Sequence, residues 1–419
     1  MTSMDLGGTA ASVNRPAHRR ATPGERSLLV AVLTAANVLV MVVVAQFVPG
    51  YVDSVQTSLA RLVVTESSRW DTISKYLAML GLLLVVELVV LGWRTSSLHR
   101  LVVPSPSARV DIVLAGLVIT GYGYALALLF SGGLSTLVTT GAASASARYT
   151  VLAIDTPGLR WVVWFLIADF VKYVYHRACH TLQFLWQAHK VHHAATEFTV
   201  LTGNRVHPLE HAGLFICMAI PLLMTGATPG VLFGVYVVQR VIDWLQHSPV
   251  NWTYGWFGRW VVFSPIGHRI HHSPLPEHWD KNFGDFLVIW DRLFGTWYDG
   301  DVVNDEVGLS TGDWDERGPL DQLLDPGVWA FQDLWRSVRS GSWMATHVLE
   351  RRESIVPSAR SSAQPVLGTA QRPSVATSTI DDAAVEHPPA GAVGDAGASR
   401  SPQCAPSATR ASLTAPLWP

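Results

Sequence analysis

His176-Arg-Ala-Cys-His180, His189-Lys-Val-His192-His193 and His268-Arg-Ile-His271-His272 decide how this chain is read. The stretch 176–278 holds 12 of the 16 histidines in roughly a quarter of the length. Neutral imidazole is a strong ligand for iron, zinc and copper. Residues three and four apart share a helix face. His176 and His180 can therefore point at one place, and each His-x-x-His-His run puts three rings on one face. His207, His211 and His247 lie between the second and third clusters, and His278 follows the third. A lone histidine is ordinarily a surface group or a hydrogen-bonded core residue, and His18, His99, His347 and His387 are read that way. Nine clustered rings (His176, His180, His189, His192, His193, His247, His268, His271 and His272) are too many for one metal and suit two.

Outward from the histidines the chain is apolar. Hydrophobic residues make up 49% of it, charged residues 15%, and the net charge is −2. Nucleic-acid binding has no electrostatic support. Cys179, Cys217 and Cys404 show no pairing pattern, which argues against disulfide scaffolds and cysteine-ligated zinc or iron–sulfur sites. The long apolar runs point to a membrane protein.

Residues 1–26 are polar and basic and lack a secretory layout; a disordered cytoplasmic arm is expected. An N-terminal transmembrane region, 27–160, follows, with spans near 27–48, 73–93 and 110–130. Glu87 inside the second span is read as a helix–helix hydrogen-bonding group. The Ser/Thr/Gly/Ala-rich residues 131–160 suit an extracytoplasmic loop. Residues 161–182 read as one helix, spanning first and carrying ligands in its last turns. Segments 209–224 and 229–244 are short for full spans and suggest a membrane hairpin. Arginines in the arm and after the second span favour a cytoplasmic N-terminus, which puts the histidines on the cytoplasmic side. A catalytic domain is expected over 161–300, then a cytoplasmic extension, 301–353, with a helix near 327–350. Residues 354–419 are too poor in large apolar groups to bury a core and read as a disordered tail. The expected class is an all-α integral membrane protein: about four transmembrane helices, a short hairpin and a cytoplasmic histidine-rich di-metal cap.

Zinc hydrolases of the His-Glu-x-x-His kind need a glutamate between the histidines. Here the intervening positions hold Arg177 to Cys179, Lys190 and Val191, and Arg269 and Ile270. The Glu-x-x-His pairs of carboxylate-bridged di-iron bundles do not recur. What remains is a histidine-rich di-iron centre that activates O2 and attacks an unactivated C–H bond, chemistry suited to a lipid chain entering from the bilayer. Asp169, seven residues before His176, and Asp243, one turn before His247, are read as acceptors for ligand N–H groups.

The pattern resembles the fatty acid hydroxylase/sterol desaturase superfamily of integral membrane di-iron oxygenases. The resemblance rests on Asp169, Tyr173 and His176-Arg-Ala-Cys-His180; Trp186 and His189-Lys-Val-His192-His193; His207-Pro-Leu-Glu210; His247-Ser; His268-Arg-Ile-His271-His272-Ser; Asp280-Lys-Asn-Phe-Gly284; and Trp290-Asp-Arg-Leu-Phe-Gly-Thr296. It covers about 165–298. It implies O2-dependent hydroxylation or desaturation of a lipid such as a sterol or fatty acyl chain, with two non-haem Fe ions as cofactor. It carries over the nine histidines as metal ligands, with no catalytic residue separate from them. His207 and Asn251 are possible ligands or near neighbours. Some relatives have a further histidine four residues before or after the His247 position, where this chain has Asp243 and Asn251. Glu210, Asp280 and Asn282 are expected beside Asp169 and Asp243 around the ligands, and His211 and His278 there or on the surface. No His-Pro-Gly-Gly haem motif and no flavin or ferredoxin signature occurs, so a separate electron donor is expected (cytochrome b5, ferredoxin or similar, with a reductase). Basic residues around 172–190 could help dock it. Trp161, Trp164, Trp186 and Trp244 suggest an apolar pocket. Two other readings are a carotenoid ring hydroxylase and a membrane zinc transporter or sensor; the latter predicts ligands inside the spans.

Overall fold

The structure is a computed structural model describing residues 19–47, 51–53, 55–56, 67–146, 152, 154–225, 229–300, 302–303, 305–309, 314 and 317–344. All belong to the first of two units into which the chain divides after Glu353. Most of the expected arm and all of the expected tail, 354–419, lie outside the described residues. Among the described residues the fold is helical, with only two isolated β-bridges.

Helix α1 spans Pro23–Phe47. It starts four residues before the apolar run because Thr22 and Glu25 form a reciprocal cap. The Thr22 amide donates to Glu25 Oε2 at 2.8 Å and the Glu25 amide to Thr22 Oγ1 at 3.3 Å, with Pro23 preset for the first turn. Helix α2 spans Ser67–Leu91 and stops at Gly92, whose φ of 77° suits glycine. Both helices turn apolar side chains outward: Leu28, Leu39 and Val42 on α1, and Leu82, Val85 and Val89 on α2 are exposed. Helices apolar on their outer face need lipid around them.

The expected third span, 110–130, is broken. Helices α3 (Pro106–Ile119) and α4 (Tyr122–Phe130) meet at 91°. The Thr120 hydroxyl folds back onto the Gly116 carbonyl at 2.6 Å, and Gly121 adopts φ 81°. A left-handed residue ends a right-handed helix, although hydropathy continues unchanged across the break. The expected loop after it is partly helix α5, Leu134–Ser146, packed on α8. Its small residues allow close approach.

Helix α6 is Pro157–Thr181, α7 Gln183–His193, α8 Pro208–Thr225 and α9 Pro229–Gln246. Three helices are long and apolar enough to cross a membrane: Pro23–Phe47, Ile73–Leu91 and Pro208–Thr225. The bent α3–α4 pair would make a fourth. Helix α6, read above as spanning, is not among them, because Arg160, Asp169, Lys172 and Arg177 interrupt it. Helix α8, read above as half a hairpin, is.

After short helix α10 (Pro265–His271) and α11 (Ile289–Phe294) comes α12, Pro319–Ser340. It begins earlier and ends earlier than the expected 327–350. Pro319 opens its first turn and Gly341, at φ 71°, closes it. Helix α12 packs across α7, and Arg26 of α1 reaches Asp321 and Asp325 on it, both at 2.7 Å. Leu29, Val110, Leu114, Phe130, Val191, Val328 and Trp329 form the core where α1, α3, α4, α7 and α12 meet.

Two buried polar groups lock these helices together. Glu87 accepts from the Ser97 amide, from Ser97 Oγ at 3.0 Å and from Ser248 Oγ at 2.6 Å, the inter-element hydrogen bonding expected of it. Arg205, just before α8, donates Nε to the Val191 carbonyl at 2.8 Å. Its other nitrogens reach Ser107 Oγ (2.9 Å), Asp111 Oδ1 (3.1 Å) and Gln322 Oε1 (2.8 Å).

Candidate metal centre

Four elements bring the nine histidines together. The last turns of α6 supply His176 and His180, and α7 supplies His189, His192 and His193. The end of α9 delivers His247, and α10 delivers His268, His271 and, at its cap, His272. Ser264 fixes the start of α10 by accepting from the Gly267 amide at 3.1 Å.

The rings sort into two groups. His176, His180, His189, His193 and His271 form one; His192, His247, His268 and His272 form the other. Within each, one ring nitrogen per residue lies within 4.8 Å of all the rest. Neighbouring side chains on a helix diverge by about 100°. His192 and His193 therefore face different groups, as do His271 and His272. The groups share a wall: the His193 and His272 rings stack with centroids 4.2 Å apart.

Outer hydrogen bonds set the tautomers. Nδ1 of His176 donates to the Phe283 carbonyl (2.9 Å), that of His271 to the Lys281 carbonyl (2.8 Å) and that of His247 to the Asp243 carbonyl (2.7 Å). A carbonyl only accepts, so Nδ1 carries the hydrogen and Nε2 keeps a bare lone pair. His189 Nδ1 meets Glu210 Oε1 at 2.8 Å with the same result. The bare nitrogens point inward. Nε2 of His176 and of His271 are buried with no hydrogen-bond partner among the described residues. The Nε2 atoms of His247 and His268 lie 2.9 Å apart, and those of His189 and His193 3.2 Å. Nε2 of His176, His189 and His271 in one group, and Nε2 of His247 in the other, are thus bare acceptors turned toward crowded neighbouring ring nitrogens, a donor set that fits a metal ion in each group.

Burial keeps these rings neutral. It pushes His176 down to about 3, with the nearby His189 adding to the shift. It pushes His192, His193, His268, His271 and His272 well below the usual imidazole range, again with neighbouring histidines adding. Neutral imidazole is the form that ligates. Aromatic walls close the site: Trp186 lies 5.2 Å from His180, Phe283 5.1 Å from His180, and Phe198 5.0 Å from His272, ring centre to ring centre.

Several residues expected at the site sit elsewhere. His207 is no ligand. Its Nδ1 accepts from the Leu209 amide at 3.1 Å and its Nε2 donates to the Leu323 carbonyl at 2.9 Å, so both nitrogens are used in joining α8 to α12. Asn251 is exposed and accepts from Arg269. Asp169 touches no histidine. It accepts from the Phe286 and Leu287 amides (3.1 and 3.2 Å) and from Trp290 Nε1 (2.8 Å), so it braces the segment after Phe283. Asp280 and Asn282 take positive φ (57° and 60°) and shape the turn that presents the Lys281 and Phe283 carbonyls. Asn282 also donates to the Gly267 carbonyl at 3.0 Å, tying that turn to α10. Asp243 does stand at His247: its carbonyl accepts from Nδ1 at 2.7 Å, and its carboxylate, paired with Arg240 at 2.7 Å, lies 3.5 Å from the same nitrogen. His278 is buried and contacts the Val302 carbonyl; His211 lies in α8 beside Phe215. The basic residues near 172–190 do not form an open rim: Lys172 pairs with Asp285 at 2.9 Å, and Lys190 is buried against Gln187, Trp314 and Trp329.

Asp291 is the supporting residue that the sequence reading quoted without assigning a role. Buried at the start of α11, it accepts from the Phe283 amide (2.8 Å), the Gly284 amide (2.7 Å) and Thr296 Oγ1 (2.7 Å). Those bonds hold the carbonyl that orients His176. Asp291→Ala is expected to weaken metal binding about 10- to 100-fold, the usual effect of losing an outer partner. Competition with a chelator followed by metal analysis checks this; unchanged retention would assign Asp291 to folding alone.

His207 makes a pH prediction. Burial lowers it to about 4, against about 6.5 for a free histidine. The unfolded chain takes up this proton below about 6.5, whereas the folded chain does so only near 4. Its contribution is intact above pH 6.5 and is lost as pH falls toward 4, at about 1.4 kcal/mol per pH unit. Denaturation midpoints of the parent and of His207→Gln, compared from pH 7 to 5, should converge as pH falls. Parallel curves would refute this.

Residues 161–296 match the fatty acid hydroxylase family. The chain is 31% identical over 150 residues to an alkylglycerol monooxygenase of Caenorhabditis elegans (36% of this chain, 29% of the relative). It is 33% identical over 167 residues to the ornithine lipid hydroxylase OlsE of Rhizobium tropici (39% and 49%). It is 30% identical over 134 residues to cholesterol 25-hydroxylase of Homo sapiens (31% and 48%). The match spans less than half the length of each of these relatives. No solved structure matches the chain.

Proposed function

We propose, from the premise that residues 161–296 form a fatty acid hydroxylase domain, that this chain is a membrane-bound oxidoreductase using two non-haem irons and O2 to hydroxylate a C–H bond of a lipid. The observation that carries the reading is the pair of abutting, buried all-histidine groups, five and four. In this reading His176, His180, His189, His193 and His271 hold one iron, and His192, His247, His268 and His272 the other. The irons, when bound with O2, supply the oxidising power needed to break an unactivated C–H bond. The chain supplies the rest. The Phe283, Lys281 and Asp243 carbonyls and Glu210 keep the ligand lone pairs inward. Phe198, Phe283 and Trp186 exclude water. Helices α1, α2 and α8 place the site beside the lipid.

Relatives named for action on alkylglycerol, ornithine lipid and cholesterol support a lipid substrate and favour hydroxylation over desaturation. The nine histidines lie outside the three candidate spans, which disfavours a zinc path through the membrane. Electrons come, in this reading, from a separate carrier such as cytochrome b5 or ferredoxin with its reductase. In this reading the site faces the cytoplasm, which arginines in the N-terminal arm and after the second helix support.

The test is mass spectrometry of total lipid from cells grown under ¹⁸O2, comparing the intact chain with His192→Ala. A lipid carrying one ¹⁸O only with the intact chain supports the proposal. A lipid two hydrogens lighter and unlabelled would make the enzyme a desaturase. Neither product, with an electron donor shown to be present, would overturn the oxygenase reading.

A further inference from the structure

Helix α12 is inside out. Its polar side faces the protein: Gln322, Asp325, Asp333 and Ser337 are all buried. These groups are engaged there. Gln322 accepts from Arg205, Asp325 takes Arg26 and Arg317, and Asp333 accepts from Gln183 and Gln187. Its apolar side faces out. Leu320, Phe331, Leu334, Trp335 and Val338 recur at helical spacing on one stripe, and Phe331, Trp335 and Val338 are 55%, 58% and 60% exposed. The helix cannot roll to hide this stripe, because both ends are pinned. Asp321 and Asp325 hold Arg26, and past Gly341 the Trp343 carbonyl accepts from the Gln183 amide at 3.0 Å.

The stripe is continuous with the surface of α1. At Gly327 an added Cβ would lie 2.7 Å from Phe130 Cε1 and 3.0 Å from Leu29 Cδ2, so the end of α4 and the first turns of α1 together cover the middle of the stripe and leave the part beyond it open. Arg26 and Leu29 sit at the N-terminal end of a helix long and apolar enough to span, so this junction lies where a span leaves the bilayer. Beside the open part stand Arg339, 5.6 Å over the Trp335 ring, and the exposed Trp343, while Arg336, paired with Asp333 at 2.9 Å, lies round the helix on the side turned from the stripe. An apolar stripe flanked by arginine and tryptophan at the level of a span's end has the make-up of an interfacial helix.

We infer that α12 lies in the bilayer surface, with Phe331, Trp335 and Val338 among the lipid chains, Arg339 on anionic headgroups and Arg336 turned to water. The inference rests on the membrane reading of α1 and extends it to a segment outside the matched domain. Because α12 packs across α7, it would hold the histidine helix at a fixed height above the lipid.

The test is spin labelling of the full chain in vesicles of phosphatidylcholine and phosphatidylglycerol. Labels are placed at Val338→Cys, Arg336→Cys and Leu39→Cys, and the signal of the unsubstituted chain is subtracted. The Val338 label should gain broadening by oxygen and lose broadening by a water-soluble nickel complex relative to the Arg336 label, matching the lipid-facing Leu39 label. A Val338 label open to nickel while Leu39 is shielded would overturn the inference and leave α1 as a span. Nickel access at Leu39 as well would overturn the membrane reading itself. Spin–spin broadening between Val338 labels of neighbouring chains would overturn the inference in favour of a second copy covering the stripe.

Discussion

On the proposed di-iron reading, His193→Ala is expected to abolish lipid oxidation and to remove one iron per chain, and His247→Ala to abolish oxidation and to remove the other. His193 belongs to the five-ring group, with Nε2 3.0 Å from that of His180 and 3.2 Å from that of His189. His247 belongs to the four-ring group, with Nε2 2.9 Å from that of His268 and 3.3 Å from that of His192. Removing an outer partner usually lowers affinity or activity about 10- to 100-fold; removing a donor nitrogen should exceed that. The effect on activity should be equal in both variants, because in the proposed reading breaking the C–H bond needs both ions. Elemental analysis should show iron falling from two per chain to one in each, not to none. Two irons retained in either variant would refute the assignment of that histidine. Loss of both irons in both variants would mean that the groups fill as a single unit.

That the nine rings converge was legible because helical spacing writes one face directly into sequence: i, i+3 and i+4 bring rings together whatever surrounds them. Their division into two groups was not. His192 and His193 are adjacent in sequence, and only the placement of α6, α9 and α10 around α7 sends them to different groups. The outer partners were harder still. Three of the four that fix tautomers are carbonyls, of Phe283, Lys281 and Asp243, and every residue has a carbonyl. Asp169 misled for the complementary reason. It shares a face with His176, but the 286–290 segment crosses that face and takes the carboxylate. The His-Pro-Leu-Glu element split similarly: Glu210 reaches His189, while His207 turns to α12, a helix outside the matched domain. In the membrane region, hydropathy reports burial in lipid and not direction. The turn at Gly121 therefore left no trace in a run that stays apolar from 110 to 130.

Arg205→Ala should destabilise the fold more than any substitution at the metal ligands, although Arg205 touches no histidine. Its side chain is buried, as is that of Asp111, which it meets at 3.1 Å. Asp111 also accepts from Thr202 Oγ1 at 2.6 Å and Thr199 Oγ1 at 3.1 Å. Truncating the arginine leaves a buried carboxylate with two hydroxyls and no counter-charge, and breaking a buried pair in this way costs about 3–5 kcal/mol. It also frees the Val191 carbonyl and Gln322, and so loosens α7 from α3 and α12 at once. Domains are stable by roughly 5–15 kcal/mol, so the variant should accumulate poorly in the membrane and unfold at a distinctly lower temperature in detergent. Arg205→Lys should fall in between, since one ammonium cannot match a planar fork that meets acceptors on four residues. Pairing Arg205→Met with Asp111→Asn should recover much of the loss, because the uncompensated charge is gone. Thermal unfolding of the three variants decides it. If Arg205→Ala stays within about 1 kcal/mol of the parent, an ordinary effect for a single substitution, this ion pair is not what joins the histidine helix to its neighbours.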